Sequence, residues 1–194
     1  MKSLQERFVD TAFKNFNKLA VIDTATKKNY TYKQILVGSV LLSKQIRELC
    51  DASIIGIMIP VSAGAIIAKL AALMAGKTPA MINYSTVALQ NCEYARKRCG
   101  IKLILTSRAL LERLKIDATD DMIMMEDIIE SIRLYEKVYE LVRIKSAIKR
   151  IHLSEEDENA VILFTSGSEK DPKVKLNKSK RFVSKRPQSC SANS

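Results

Sequence analysis

A single histidine, His152, stands in the 194 residues. A Ser-His-Asp triad would have that one imidazole to draw on, and a multi-histidine metal centre could not be assembled at all. The four cysteines, Cys50, Cys92, Cys99 and Cys190, show no CxxC spacing. Cys92 and Cys99 lie seven apart on one helical pattern with no acid-His-Cys cluster around them, so they read as small buried or half-buried side chains rather than ligands. Reduced thiols suit a cytoplasmic protein, and nothing at the N-terminus resembles a signal peptide. Long apolar runs are missing too. The uncharged run 53–68 is interrupted by Gly56 and Pro60 and closed by Lys69. It falls short of the roughly 20 apolar residues that a membrane-spanning helix needs, and reads as buried core.

What the chain has in excess is positive charge, +11 in all. Residues 170–194 hold eight Lys or Arg against one acid, which leaves only about +4 for everything before them. The basic character therefore belongs to the end of the chain, and no specific nucleic-acid partner is expected of the body. With 47% apolar residues, one sizeable core can be buried.

Hydrophobic periodicity predicts an amphipathic helix over 4–16, a hairpin of strands 19–23 and 29–31, and a helix over 32–49 with Thr31 as its N-cap. An apolar β-rich run at 53–59, a break at Pro60, a helix over 63–74 closed by Gly76 and a strand at 78–82 make a βαβ unit. A helix over 88–98 ended by Gly100, a strand at 102–105, a short helix at 108–114 and a strand at 122–125 extend the alternation. The fold class is α/β, a parallel sheet with covering helices. Residues 126–150 fit one or two helices, either docked on the core or, through their basic half, lying on a membrane surface.

Chemistry concentrates after an unbroken apolar strand at 160–164. It runs into Thr165-Ser166-Gly167-Ser168-Glu169-Lys170-Asp171-Pro172-Lys173. Gly167 lets the backbone approach a ligand, successive amides can form an anion-binding nest, and Thr165, Ser166 and Ser168 add hydroxyl donors. Lys170 and Lys173 add positive charge. The second glycine and the Lys-Ser/Thr pair of a GxxxxGK[ST] loop are absent, so this is not a P-loop of that kind. By composition alone, a Ser/Gly/Pro segment after a strand is usually just a turn.

FTSGSEKDPK at 164–173 resembles the phosphate-binding signature of the acyl- and aminoacyl-adenylate-forming superfamily, an aromatic-Thr-Ser-Gly-Ser/Thr stretch followed by a Pro-Lys pair. Glu169, where a Thr-Gly pair usually begins, is similar to acyl-acyl-carrier-protein synthetases and to the synthetase part of 2-acylglycerophosphoethanolamine acyltransferases. The resemblance covers 4–173 and includes Tyr30-Thr31-Tyr32, the GIxxP strand at 56–60 and the AAxxAGxxP segment at 71–79. It implies the N-terminal subdomain of the adenylate-forming fold. It also implies ATP and Mg as cofactors, a fatty acid as substrate, acyl carrier protein or coenzyme A as thiol acceptor, and placement in the cytoplasm or peripherally at the inner membrane. Thr165, Ser166, Gly167, Ser168 and Lys173 match the positions that hold phosphates.

After Lys173 the family's pattern stops, and 174–194 reads as a basic, disordered tail. The family's adenine pocket, acyl tunnel, Mg and ribose motifs and mobile C-terminal domain would lie beyond residue 194. The expectation is that this chain alone binds ATP poorly and catalyses nothing. Two other readings stay open: a non-catalytic binding module that uses its basic tail on an acidic partner, and one part of a split synthetase.

Overall fold

The structure, a computed structural model, describes residues 3–24, 26–84, 87–127, 159–165 and 173–178; for 159, 160, 165 and 173–178 it describes the backbone alone. The helices predicted over 126–150 lie outside these residues, apart from 126 and 127, as does the chain from 179 onward.

Helix α1, Leu4–Lys14, begins with a capping box in which the Ser3 hydroxyl accepts from the Glu6 N–H and the Glu6 carboxylate accepts from the Ser3 N–H. Strands β1, Leu19–Asp23, and β2, Lys28–Thr31, pair antiparallel as predicted. Helix α2, Tyr32–Leu49, opens on a second capping box: the Thr31 N–H donates to Gln34 Oε1 at 2.8 Å, and the Gln34 N–H donates to Thr31 Oγ1 at 3.3 Å. The Thr-Tyr element of the sequence is thus a helix start, with the hydroxyl satisfying an amide that the first turn leaves open.

The main sheet is built from β3, Ile54–Ile57, β4, Thr78–Met81, β5, Ile104–Thr106, β6, Met122–Met124, β7, Asn159–Thr165, and β8, Lys173–Lys178. Their order is β6-β5-β3-β4-β7-β8. The first five run parallel, and β8 turns back antiparallel to β7. Helices α3, Ala63–Met74, α4, Ala88–Cys99, and α5, Arg108–Leu114, supply the crossovers between β3, β4, β5 and β6.

Strand β3 sits in the middle and is buried on both sides. Ile55 and Ile57 face a core with Leu42 and Ile46 of α2 and Ala68 and Ala71 of α3. On the opposite side Met58 packs with Ala80, Ile82 and Ile104 against Cys92 and Ala95 of α4 and Leu110 of α5. A third cluster docks Val9 and Ala12 of α1 on Ile35, Leu36 and Val40 of α2 and Leu70 and Met74 of α3. The result is a sheet between two helix layers, as the βαβ pattern requires.

Both glycine-bearing segments have a physical account. A Cβ on Gly56 would stand 2.9 Å from Ile104 Cγ1 and 2.9 Å from Ile82 Cδ1, so the GIxxP strand has no room there for a side chain. Gly76 has φ of 74° and ends α3 in a Schellman turn, with Lys77 N–H donating to Ala72 O at 2.9 Å and Gly76 N–H to Leu73 O at 3.1 Å.

Residues 174–178, which the sequence groups with the basic tail, pair with β7 as part of strand β8. Val174 and Leu176 alternate with Lys175 and Asn177, a period of two that the surrounding basic residues obscure. Lysine is a usual residue on such a strand, because charge discourages further pairing along its edge.

Candidate functional site

Parallel strands deliver their carboxyl ends to one edge of the sheet, and that is where open α/β sheets bind ligands. Strand β7 aligns with β4 through Ala80↔Ile162 and Met81↔Leu163. Its last residue, Thr165, therefore reaches that edge beside the segment that follows β4, Ile82-Asn83-Tyr84. In the β7–β8 ladder Thr165 is paired with Lys173. The sequence-predicted residues Thr165 and Lys173 are thus brought opposite each other at the two ends of one loop. The other three, Ser166, Gly167 and Ser168, fall between them and outside the described residues.

Two contacts from α4 reach this edge. Asn91 Nδ2 donates to the carbonyl of Asn83 at 3.0 Å, just past the end of β4. The Tyr94 ring meets the Phe164 ring edge-on, with centroids 6.1 Å apart and planes at 82°. Phe164 directly precedes Thr165. The helical pattern at 88–98 places Asn91 and Tyr94 on α4, but the partners of these two residues were not legible in the sequence. A further tie crosses the same edge: Thr106 Oγ1, fully buried, donates to the carbonyl of Met58 at 3.0 Å and links the end of β5 to that of β3.

Cys92 is excluded as a thiol nucleophile. It is buried under the sheet, its Sγ lies 3.6 Å from Met58 Sδ, and burial pushes its thiol up to about 11, away from the thiolate. Farther along α4, Arg96 grips Asp121 through two bonds of 2.5 Å and Thr119 through one of 2.7 Å. Burial by itself would raise the Asp121 carboxyl, but its hydrogen bonds to Arg96 and Thr119 outweigh that and hold it below the usual carboxylate range. This cluster pins α4 to the approach of β6. Among the described residues no group of three or more His, Cys, Asp or Glu could hold a metal ion, so no Mg ligand is assigned. No helix among them is long and apolar enough to cross a membrane.

A mostly parallel sheet between helix layers defines an α/β protein. Residues 8–175 match the AMP-binding enzyme family, and the chain belongs to that family. Solved structures share the fold. VinN superposes with a TM-score of 0.69 at 18% identity, over 92% of this chain and 46% of its own. The fatty acyl-adenylate ligase of L. pneumophila, in complex with acyl adenylate and pyrophosphate, gives 0.66 at 16% identity over 91% of this chain and 30% of its own. The N-terminal domain of FACL13 from Mycobacterium tuberculosis gives 0.63 at 16% identity over 92% and 44%. The chain thus spans less than half the length of each.

Proposed function

We propose that the protein serves the ATP-dependent activation of a fatty acid and the transfer of its acyl group to a thiol, that of acyl carrier protein or of coenzyme A, in the manner of acyl-acyl-carrier-protein synthetases. In that reaction a carboxylate oxygen attacks the α-phosphorus of ATP, the bond to the β-phosphate oxygen breaks, and pyrophosphate leaves. The thiolate then attacks the acyl carbon and AMP departs. The observation that carries the reading is the pairing of Thr165 with Lys173 at the carboxyl edge, at the two ends of a segment whose sequence resembles the family's phosphate-binding signature. Thr165, Ser166, Ser168 and Lys173 would donate to the phosphates, and Gly167 would let the backbone close on them; their task is to offset the charge of the leaving pyrophosphate. Mg bound to the triphosphate would supply further positive charge. The adenylate-forming region is taken to run through β8, with the basic tail after it, and the protein to work in the cytoplasm or at the inner face of the membrane.

Fatty-acid-dependent ATP–pyrophosphate exchange tests this on the purified chain, alone and with the product of the adjacent downstream reading frame. Exchange by the chain alone establishes it as an enzyme in itself, and exchange only with the second product establishes a split synthetase. No exchange in either case refutes the activity for this chain. Lys173→Ala and Gly167→Val should each abolish measurable ATP affinity, and unchanged affinity in both would place the site elsewhere.

A further inference from the structure

The ladder between β7 and β4 is registered at Ala80↔Ile162 and Met81↔Leu163, two residues short of Thr165. Past Leu163, β7 is paired with β8, its own hairpin partner, and a hairpin alone does not fix where its tip stands over the sheet. At this level Phe164 packs against the apolar cluster that α4 and α5 line, and Tyr94 of α4 meets its ring edge-to-face. One turn earlier on the same helix, Asn91 holds the Asn83 carbonyl at the end of the neighbouring strand. Positions three apart share a helix face. One face of α4 therefore grips the ends of two adjacent strands whose contacted residues, Asn83 and Phe164, are far apart in sequence.

We propose that Asn91 and Tyr94 form a clasp that holds the end of β7, and with it Thr165, against the end of β4, so that Tyr94 is a positioning residue for the site proposed above. It touches no substrate in this reading. Its ring sets Phe164, and Phe164 sets the first residue of the loop. The inference rests on the nucleotide reading only for what the loop binds; the positioning itself is a property of the packing.

Hydrogen exchange on the full chain tests the two separately. Edge-to-face aromatic pairs are strong enough that losing one should speed local opening by roughly three- to tenfold. Tyr94→Ala is expected to accelerate exchange by that factor in peptides spanning 159–178, and Asn91→Ala in those spanning 80–84, while peptides from β3 and α3 keep their wild-type rates. Tyr94→Phe keeps the ring and should restore the wild-type rate. Equal exchange in wild type and Tyr94→Ala overturns the clasp, as does acceleration spread uniformly over all peptides, which would mark a merely structural residue. Adding Mg-ATP to the wild type is scored apart from this comparison. Slowed exchange at 159–178 supports the nucleotide reading, and its absence counts against that reading without altering the difference between variants.

Discussion

Adding one methyl group at Gly56 should destabilise the protein, and the amount can be worked from the packing. The new Cβ would meet Ile104 Cγ1 and Ile82 Cδ1, each at 2.9 Å, and Ile101 Cγ2 at 3.4 Å. Carbon atoms pack best at about 3.5–4.0 Å, so the first two must retreat by at least roughly 0.6 Å in a core where neither isoleucine has space. Overpacking of this kind costs about 1–3 kcal/mol. Gly56 is not among the glycines with positive φ, so alanine also restricts the unfolded chain and returns about 0.4–1 kcal/mol. The expected net loss for Gly56→Ala is about 1–2 kcal/mol. With a urea m-value of about 2 kcal/mol/M, the midpoint should fall by roughly 0.5–1 M. Ile82→Val removes the Cδ1 that the new methyl strikes. Alone it should cost about 0.5–1.5 kcal/mol, but combined with Gly56→Ala it should cost less than the sum, by about 1 kcal/mol. Strict additivity, or a Gly56→Ala protein as stable as the wild type, would refute the steric account of the GIxxP strand.

Gly76→Ala keeps both Schellman hydrogen bonds but places a side chain at a φ of 74°, and should lower stability by about 1–2 kcal/mol in urea titration. Lys115, at a φ of 55° past the end of α5, should respond the opposite way, with Lys115→Gly raising stability by up to about 1 kcal/mol. Because the folded carboxyl of Asp121 lies below its unfolded value near 3.8, it adds stability above that pH and loses it as the pH falls through the depressed folded value. Stability curves of wild type and Asp121→Asn measured from pH 7 to pH 2 should therefore differ most at neutral pH and converge in acid. In a Cys190→Ser background, half-buried Cys99 should react with a thiol reagent at pH 8 while buried Cys50 and Cys92 wait for unfolding, as mass spectrometry of labelled peptides would show.

Much of the fold can be read from the chain because its helix ends carry their own chemistry. Thr31 with Gln34, and the Ala75-Gly76 turn, mark boundaries that depend on a few neighbouring residues, and helices α2, α3 and α5 fall where caps and periodicity place them. The sheet order is another matter. Nothing local in β3, β4 or β5 says that β4 goes to one side of β3 and β5 to the other; crossover direction and the match of buried faces decide it. Strand β8 was masked by its lysines, since charge count and a period of two point in opposite directions over six residues. At the site, the loop residues were legible as a motif, whereas its surroundings were not. Asn91 and Tyr94 carry no special signature, and the residues they touch come from separate strands.

The place of β7 in the sheet has a consequence for how the molecule is assembled. From β3 to β6, β3 pairs with β4 and β5 with β6 through one helix each, and the pairing of Gly56 with Ile104 closes the longest loop among them, 48 residues. The pairing of Ala80 with Ile162 closes a loop of 82 residues. Loop-closure entropy grows with that separation, and long-range parallel pairing is slow to form. The segment bearing the phosphate signature should therefore arrive last, settling on a platform that is already in place. In pulse-labelled refolding, amides of β3 and β5 should gain protection before that of Ile162, so the strand that leads into the proposed nucleotide loop would be tied down as the final event of folding.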